Sequence, residues 1–345
     1  MKIIILILLL PFPVFAEFRL NQIQLIGTHN SYHVAPTAQE MRVFGLFDKR
    51  AATAWEYTRK PLGEQLDNGL RHFELDVFAD PKGGLFAKPG DPADSPMRKP
   101  GIKVLHVPQF DARSIHPTFK GALAAVEEWS GKNPNHLPVM ILVELKDRAD
   151  NPLAQKPVKF DRAQMIALEK EILSVVKKDN LITPDFVRGE SATLRDAIGE
   201  NGWPKLEKCR GKLMFCLDNE GGHRDVYLKG NPTLEKRLLF VSVDPVHPAA
   251  AWMKRNNPVG SFDEIQKLVK AGFMVRTRAD ANTVEARAND RTRARRALAS
   301  GAQFVSTDFP DKVPRIGEYE VRFPDRVVAR ANPVSAPELK GRAVK

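Results

Sequence analysis

Several side chains that could carry out chemistry lie in or just after short apolar runs of this sequence. The first such run, 22–28, is followed directly by a histidine and an amide, and three later runs each contain a histidine or carboxylates. The residues concerned are His29, Asn30, Glu74, Asp76, His106 and Glu144. Residues two apart on a strand face the same side, so Glu74 and Asp76 are expected to point the same way. Two histidines and four oxygen ligands at the ends of successive strands indicate an active site rather than a core.

Four oxygen-bearing side chains of this set, Asn30, Glu74, Asp76 and Glu144, form a group of hard ligands. Such ligands suit a hard cation, and we expect calcium before magnesium because the sequence has no dedicated phosphate loop. Zinc would normally recruit the histidines or cysteines directly. A single carboxylate at a strand end is more often a salt-bridge partner than a ligand. The prediction therefore rests on the four residues occurring together at equivalent strand ends.

The two histidines, His29 and His106, would flank this cation. An unperturbed histidine titrates near neutral pH, so one can serve as general base and the other as general acid. A nearby cation can stabilise a phosphoryl oxygen and favour ionisation of a hydroxyl group. Phosphodiester cleavage is the reaction class that uses all three parts. A lone histidine is more often a hydrogen-bonded core group, so the argument again depends on the grouping.

Further candidate residues lie on later strands. Three cations are available to hold a phosphate or a polyol head group: Lys146, Arg276 and Arg278. Asp308 comes two residues after Ser306, at the end of the last predicted strand. Its carboxylate could orient His29 in the reactive tautomer.

The elements that must position these residues alternate along the chain. Eight apolar runs are predicted to be strands: 22–28, 72–78, 104–107, 139–145, 212–218, 238–244, 273–277 and 303–307. Six segments with helical features lie between them: 62–68, 117–130, 163–177, 192–198, 262–271 and 285–300. This alternation predicts a single-domain α/β fold, a TIM-type (β/α)8 barrel with some irregularity. A doubly wound open sheet would normally place a glycine-rich phosphate loop after the first strand, where Gly27-Thr28-His29-Asn30 stands instead.

The two ends of the chain differ in composition from the middle. Residues 1–16 carry Lys2, an apolar stretch and a small-residue site ending at Ala16. This pattern predicts a cleaved signal peptide and a secreted or periplasmic protein, with an uncleaved anchor as the alternative. We therefore expect the barrel over residues 17–320. The last segment, 321–345, is basic and rich in proline and alanine, which is typical of a disordered tail.

The formal net charge of +11 is concentrated in residues 285–300 and in the C-terminal segment. A basic exported protein suits anionic lipids or phosphate-bearing substrates, although a solvated charged face explains the arginine-rich helix equally well. Nucleic acid is not expected as a partner, since the sequence has no helix-turn-helix pattern, zinc-finger spacing or aromatic-rich basic sheet. Cys209 and Cys216 are separated by mostly extended chain, which places them too far apart for a disulfide.

The motifs His29-Asn30-Ser31 and Glu74-Leu75-Asp76, with His106 and Glu144, resemble the catalytic X region of phosphatidylinositol-specific phospholipases C, in particular the bacterial calcium-dependent group. The resemblance covers roughly residues 18–309. It implies that His29 is the general base, that His106 is the general acid and that the four oxygen ligands named above bind calcium. Metal-independent bacterial relatives carry an arginine where Asp76 stands, so this residue favours calcium dependence.

The reaction that the resemblance implies is intramolecular. Calcium and His29 would activate an inositol hydroxyl to attack phosphorus, and His106 would protonate the departing diacylglycerol oxygen, giving a cyclic inositol phosphate that water can open. The expected partners are a phospholipid or inositol-phosphate substrate and, peripherally, a membrane surface, with the protein itself a monomer. The Y region, C2 domain and pleckstrin-type module of the eukaryotic enzymes are missing, so their head-group contacts do not transfer.

Two other functions fit parts of the pattern. A glycerophosphodiester or sphingolipid phosphodiesterase on the same barrel would also use two histidines and a carboxylate-bound metal, but the run Thr28-His29-Asn30-Ser31 argues against it. A secreted barrel that binds a lipid or its head group without turnover would need no acid–base pair. The presence of both histidines and all four oxygen ligands argues against this second alternative.

Overall fold

The computed structural model describes residues 17–148 and 156–345, so the predicted signal peptide, residues 1–16, lies outside the described part of the chain. The strands there are β1 (Ile23–Thr28), β2 (His72–Phe78), β3 (Lys103–Val104), β4 (Val139–Leu145), β5 (Leu181–Ile182), β6 (Leu213–Leu217), β7 (Leu239–Val241), β8 (Trp252–Lys254), β9 (Met274–Arg278), β10 (Phe304–Thr307), β11 (Ala329–Ala331) and β12 (Ala343–Val344). The α-helices are α1 (Ala38–Gly45), α2 (Lys49–Ala54), α3 (Leu62–Asp67), α4 (Phe119–Lys132), α5 (Arg162–Val175), α6 (Pro184–Arg188), α7 (Leu194–Glu200), α8 (Gly222–Leu228), α9 (Phe262–Lys270), α10 (Val284–Arg287) and α11 (Thr292–Ala299).

The parallel strands curl into a barrel. They follow one another in the order β1, β2, β4, β6, β7, β8, β9 and β10, and β10 pairs again with β1. The joint between β7 and β8 is the weakest. It consists of one parallel bridge between Ser242 and Trp252 and a 3.2 Å hydrogen bond from the Lys254 amide to Ser242 Oγ. The predicted α/β barrel is confirmed, with its irregularity at this joint.

Strands β2 and β4, which carry the acidic candidates, run side by side. β4 is a nearly continuous apolar run and β2 is buried along its whole length, as expected for parallel strands covered on both faces. Their register sets Asp76 opposite Glu144. On the other side of β2, Gly27 of β1 faces His72. A Cβ atom on Gly27 would lie 2.0 Å from the His72 carbonyl oxygen, so only glycine fits where these strands meet.

The predicted strand 104–107 is not a barrel strand. β3 pairs antiparallel with β2, and the backbone then turns through Val107 and Asp111, whose amides donate to each other's carbonyl oxygens. The barrel strand that the sequence analysis missed is β8. Its three residues, which include Trp252 and Lys254, are too few and too polar to form an apolar run. His106 therefore lies in a loop rather than at the end of a barrel strand.

The helices agree with the sequence pattern except at several places. Residues 285–300 form two helices, α10 and α11, separated by a left-handed residue, Asn289, with φ of 48°. Helices α1, α2, α6 and α8 were not predicted. The first two lie in the loop after β1 and are capped by Thr37 and Asp48, whose side chains accept hydrogen bonds from the Glu40 and Ala51 amides. This loop belongs to the end of the barrel at which active sites are built.

The prediction of a disordered tail over residues 321–345 is wrong. β11 pairs antiparallel with the start of β1, and β12 pairs with β11. Ala329 and Ala331 are fully buried, and Arg330 donates to Gln24 Oε1 at 2.9 Å. The composition suggested disorder, but small side chains pack tightly against the barrel here and Arg330 is paired. This pairing lies at the end of β1 opposite to His29.

The cysteines are structural. Cys209 and Cys216 are both buried and unpaired, in agreement with the expectation of no disulfide. Burial raises the pKa of Cys209 to about 12, which argues against a reactive thiol. No helix within residues 17–148 and 156–345 has the length and apolar character needed to cross a membrane.

Candidate active site

Three carboxylates meet on β2 and β4. Glu74, Asp76 and Glu144 each offer an oxygen atom, and these oxygens lie within 4.8 Å of one another. Asp76 is fully buried; its Oδ1 has no polar partner among the described residues, and its Oδ2 is paired with Lys146 Nζ at 3.1 Å. Asn30 Oδ1 is likewise buried and without such a partner in the described ranges. Buried polar atoms normally have partners, so the Oδ1 atoms of Asp76 and Asn30 fit the ligands of a bound cation.

The turn after β1 positions His29 and Asn30. Asn30 adopts the left-handed conformation (φ 43°), which asparagine tolerates better than most residues. Ser31 fastens the turn to β2, because its amide donates to the Glu74 carbonyl oxygen at 2.9 Å and its Oγ accepts from the Glu74 amide at 2.8 Å. The predicted base and the predicted amide ligand are thereby tied to the strand that carries Glu74 and Asp76.

Two of the predicted substrate-binding cations contact the carboxylates. Lys146 Nζ lies 2.7 Å from Glu144 Oε1 and 3.1 Å from Asp76 Oδ2, and Arg276 is ion-paired with Glu74. Burial raises the pKa of Glu74 to about 7 and that of Glu144 to about 8, and the charge of Asp76 adds to both shifts. The negative charge of the cluster is therefore balanced by Lys146, by Arg276 and by bound protons. A role of these two cations in substrate binding stays a prediction.

His29 is held by Asp308, the contact that the predicted orienting role requires. Its Nδ1 lies 2.8 Å from Asp308 Oδ1, and its Nε2 faces Glu74 Oε1 at 3.7 Å. Arg278 Nη2 lies 3.3 Å from His29 Nδ1 and 3.4 Å from Asp308 Oδ2. Burial and the charge of Arg278 lower the pKa of His29 well below its usual value. His29, Asp308 and Arg278 form the base arm of the site, in which a neutral His29 donates from Nδ1 and can accept a proton at Nε2.

His106 is held by a carboxylate that the sequence analysis did not single out. Its Nδ1 lies 2.7 Å from Asp111 Oδ2. Burial alone would lower the pKa of His106, but the hydrogen bond to Asp111 and the charges of Asp76 and Asp111 raise it above its usual value. His106 and Asp111 form the acid arm, in which a protonated His106 donates from Nδ1 to Asp111 and can give up a proton from Nε2.

Comparison with known proteins identifies the family of this chain. The family model described as phosphoinositide phospholipase C, Ca2+-dependent, matches residues 18–333. The chain belongs to this family. It is thereby placed among the phosphatidylinositol phospholipases C, which are phosphoric diester hydrolases. A search of curated proteins finds no match.

Solved structures of bacterial phospholipases C share the barrel. The calcium-dependent phosphoinositol-specific phospholipase C of a Gram-negative Pseudomonas species, in an apo crystal form, is 14% identical, with 91% of this chain and 95% of that chain covered and a TM-score of 0.56. Its myoinositol complex gives 15% identity, 91% and 96% coverage and a TM-score of 0.57. The Ca2+-dependent phosphatidylinositol-specific phospholipase C of Streptomyces antibioticus is 16% identical, with 84% of this chain and 94% of that chain covered and a TM-score of 0.52. At these identities the similarity supports the fold alone.

In this phospholipase C family member, Arg59 is a further residue of the base arm that the sequence analysis missed. Its Nη2 donates to the His29 carbonyl oxygen at 2.6 Å and lies 3.2 Å from Asp308 Oδ1. Its guanidinium also stacks on Tyr57, 4.4 Å from the ring centre. Arg59 therefore holds the His29 turn against Asp308. It lies in the loop between α2 and α3, where no periodicity could have predicted it.

A cavity of about 380 Å³ opens beside the acid arm of the phospholipase C site. Its lining includes His106, Glu144, Lys146 and His223. Asp147 accepts a 2.9 Å hydrogen bond from His223 Nε2 and so fixes this wall. A phosphodiester bound in the cavity would contact both the acid arm and the carboxylate cluster.

Proposed function

We propose that this chain is an exported calcium-dependent phospholipase C that cleaves phosphatidylinositol to diacylglycerol and a cyclic inositol phosphate. The observation that carries the proposal is a pair of histidines, each with a carboxylate on Nδ1, beside an oxygen cluster in which Asn30 Oδ1 and Asp76 Oδ1 have no partner among the described residues. Family membership supports the lipid class and the metal. The similar Pseudomonas enzyme was solved with myoinositol, which agrees with an inositol head group. Export rests on the sequence of residues 1–16.

Calcium would be held by Asn30, Glu74, Asp76 and Glu144. Calcium prefers oxygen ligands and tolerates irregular geometry, so an amide from the turn after β1 and three carboxylates from β2 and β4 suit it. The Oδ1 atoms of Asn30 and Asp76, which have no partner among the described residues, support this assignment. When bound, the ion supplies positive charge that stabilises a phosphoryl oxygen and favours ionisation of a nearby hydroxyl.

His29 acts as the general base. Since Asp308 accepts the Nδ1 proton, the lone pair of neutral His29 is at Nε2. Nε2 takes the proton of an inositol hydroxyl, and the hydroxyl oxygen forms a bond to the phosphorus of the same molecule. Because the nucleophile is already tethered to the phosphate, much of the entropic cost of bringing the two together is avoided.

His106 acts as the general acid. Its Nδ1 proton is donated to Asp111, and its Nε2 proton passes to the diacylglycerol oxygen as the bond from that oxygen to phosphorus breaks. The products are diacylglycerol and a cyclic phosphodiester, which water opens in a later step. The raised pKa of His106 keeps it protonated at the start of the reaction.

The predicted cations are assigned to the substrate in two groups. Arg278 adjoins His29 and Asp308, so it is the first candidate to bind the reacting phosphate. Lys146 and Arg276 balance the charge of the carboxylate cluster in the calcium-free protein. We therefore assign them a contact with the substrate only in the calcium-bound protein.

An exposed apolar stretch supports contact with a lipid surface. Val43, Leu46 and Phe47 are 55%, 84% and 83% exposed, and all three lie between the middle of α1 and the start of α2. Apolar side chains clustered on a surface often mark an interaction site. After Asp48, the basic residues Lys49 and Arg50 are exposed, and the net positive charge of these three residues suits an anionic lipid.

The same stretch is linked to the acid arm. Phe44 stacks on Trp55 at 4.4 Å between ring centres, and Trp55 packs edge-on against His106 at 5.7 Å. A lipid bound at Leu46 and Phe47 would therefore bring its diacylglycerol part toward His106. This is the side from which the leaving alcohol must receive its proton.

The reaction is tested with phosphatidylinositol vesicles, with and without a calcium chelator, by phosphorus NMR of an early time course. We expect a cyclic inositol phosphate to appear first and only with calcium, and an analogue with methylated inositol hydroxyls to be inert. Acyclic phosphate appearing first, turnover of the methylated analogue, or a preference for glycerophosphodiesters would contradict the proposal.

The metal site is tested with Asp76→Asn. Removing one charged ligand from a cluster of three should remove most of the calcium affinity measured by calorimetry. Asp94→Asn, the same change in an exposed loop, should bind calcium like the unmodified protein. Equal affinities of the two variants would mean that Asp76 is not a ligand.

A further inference from the structure

His33 lies behind the acid arm and is fully buried, as is Asp111. Its Nε2 lies 2.8 Å from both carboxylate oxygens of Asp111, and its Nδ1 lies 2.9 Å from the carbonyl oxygen of Tyr57. Both ring nitrogens therefore face oxygen acceptors. An imidazole in this position donates a hydrogen bond to the Asp111 carboxylate from the side opposite to His106.

Asp111 thus lies between two histidines. His106 Nδ1 contacts Oδ2 of this carboxylate, while His33 spans both oxygens. The two rings are nearly perpendicular, at 84°, with their centres 6.2 Å apart. A carboxylate held by one partner alone could rotate about its terminal bond, whereas the contact with His33 fixes the plane that His106 meets.

The backbone around His33 is equally fixed. Its amide donates to the Asn30 carbonyl oxygen at 3.1 Å, and its carbonyl oxygen accepts from the Arg59 amide at 2.9 Å. An antiparallel bridge to Ser114 joins it to the loop that carries Asp111. Residues 29–33 therefore include the base His29, the predicted metal ligand Asn30, and His33, which contacts the Asp111 carboxylate beside the acid.

We infer that His33 is a positioning residue for the general acid, which holds the Asp111 carboxylate in the orientation that accepts the Nδ1 proton of His106. The inference rests on the proposed function, in which His106 protonates the leaving alcohol. His33 makes no contact with the reacting atoms in this arrangement and acts through Asp111. Its effect must therefore be confined to the proton-donating half of the reaction.

Two variants separate this role from support of the fold. His33→Leu removes the donor to Asp111, whereas His33→Gln keeps an N–H group near the position of Nε2. Each is assayed on phosphatidylinositol, whose alcohol leaves only with a proton, and on a nitrophenyl inositol phosphodiester, whose phenol leaves without one. We expect His33→Leu to lose about tenfold or more on the lipid and to keep its rate on the nitrophenyl ester, and His33→Gln to recover most of the loss.

Two further measurements complete the test. In a His106→Ala background, adding His33→Leu should cost nothing more on the lipid. In NMR titrations, His106, which faces Asp76, Asp111 and Lys146, should release its proton at lower pH in His33→Leu than in the unmodified protein. Equal losses on both substrates, an added loss in the His106→Ala background, or an unchanged titration of His106 would overturn the inference.

The failure of the proposed function looks different. If the unmodified protein cleaves neither substrate, the phospholipase C proposal fails, while the NMR titration still decides whether His33 acts on His106. If His33→Leu does not fold, His33→Gln and Asp111→Asn carry the comparison. Asp111→Asn should then lower the pKa of His106 and slow only the lipid reaction, and equal slowing of both substrates would overturn the inference.

Discussion

The base arm and the acid arm share one local design and differ in the charges around it. In each, a histidine Nδ1 meets a buried carboxylate, at 2.8 Å for His29 and Asp308 and at 2.7 Å for His106 and Asp111. Yet the pKa of His29 is lowered and that of His106 is raised. The direct partner therefore fixes the tautomer of each ring, and the surrounding charges decide which ring gives and which accepts a proton.

The difference arises from where the cations lie. Burial lowers the pKa of His29 most, and the charges of Arg278 and Arg276 lower it further. Around His106, the carboxylates outweigh both burial and the opposing charge of Lys146. Arg276 is also ion-paired with Glu74, the carboxylate of the cluster that faces His29 Nε2, whereas the charge of Asp76 raises the pKa of His106. Arg276 thus offsets the carboxylate that faces the base, whereas Asp76 and Asp111 outweigh the charge of Lys146 beside the acid.

The largest effect should come from removing either histidine. His29→Ala and His106→Ala should each cut turnover of phosphatidylinositol by at least about a hundredfold, the usual contribution of a positioned base or acid. On a nitrophenyl inositol phosphodiester the turnover rates of these two variants should differ. His29→Ala should stay slow because the nucleophile still needs a base, whereas His106→Ala should be nearly normal because the phenol leaves unaided. Steady-state rates on the two substrates make the comparison.

Both alanine variants should fold and bind calcium like the unmodified protein, which circular dichroism and calorimetry check. A His106→Ala variant that is equally slow on both substrates would contradict the division into a base arm and an acid arm. So would a His29→Ala variant that recovers with the better leaving group.

A second, smaller effect concerns the cluster between the arms. Burial raises the pKa values of Glu74 and Glu144 from their ordinary 4.5 to about 7 and about 8. Between about pH 5 and pH 8 the calcium-free folded protein therefore holds protons that the unfolded chain has released, and its stability falls as the pH rises through this window. Calcium must displace these protons, so its affinity should rise with pH there, by up to about tenfold per pH unit for each proton displaced.

Calorimetry in two buffers of different ionisation enthalpy measures both the affinity and the protons released. The release should be clear at about pH 6 and should fade above about pH 8. A calcium affinity that is constant across this window would show that Glu74 and Glu144 are already ionised in the calcium-free protein, or that they are not ligands.

The parts of the site that lie on regular strands could be predicted from the sequence. The bounds of β2 and β4 follow from their apolar runs, and the period of two along a strand places Glu74 and Asp76 on one side. Asn30 and His29 were found because they follow a strand that ends in Gly27-Thr28. Their local pattern and the parallel pairing carry enough information.

The parts that depend on loops and on tertiary contacts could not be predicted. Asp111, Arg59 and His33 lie in segments without periodicity, and nothing in their spacing shows that they contact His106, Asp308 or each other. The strand β8 was missed and the run 104–107 was taken for a barrel strand, because a short strand with a lysine is stabilised by its neighbours rather than by its own pattern. The folded tail has the same explanation, since Ala329 and Ala331 become core residues only through pairing with β1.

The smallest effect should come from removing one cation of the base arm. Arg278→Met deletes a charge that, together with burial, lowers the pKa of His29, so that pKa should rise while Asp308 still holds the ring. A base with a raised pKa is protonated over more of the acidic range, so the variant should lose rate severalfold at acidic pH and little at alkaline pH. Because Arg278 is also assigned to the phosphate, the decisive measurement is an NMR titration of His29 in the free, calcium-free protein. Arg278→Lys, which keeps the charge, should leave the titration nearly in place. If Arg278→Met and Arg278→Lys shift the pKa of His29 equally, the shape of the arginine rather than its charge sets the difference in pKa between His29 and His106.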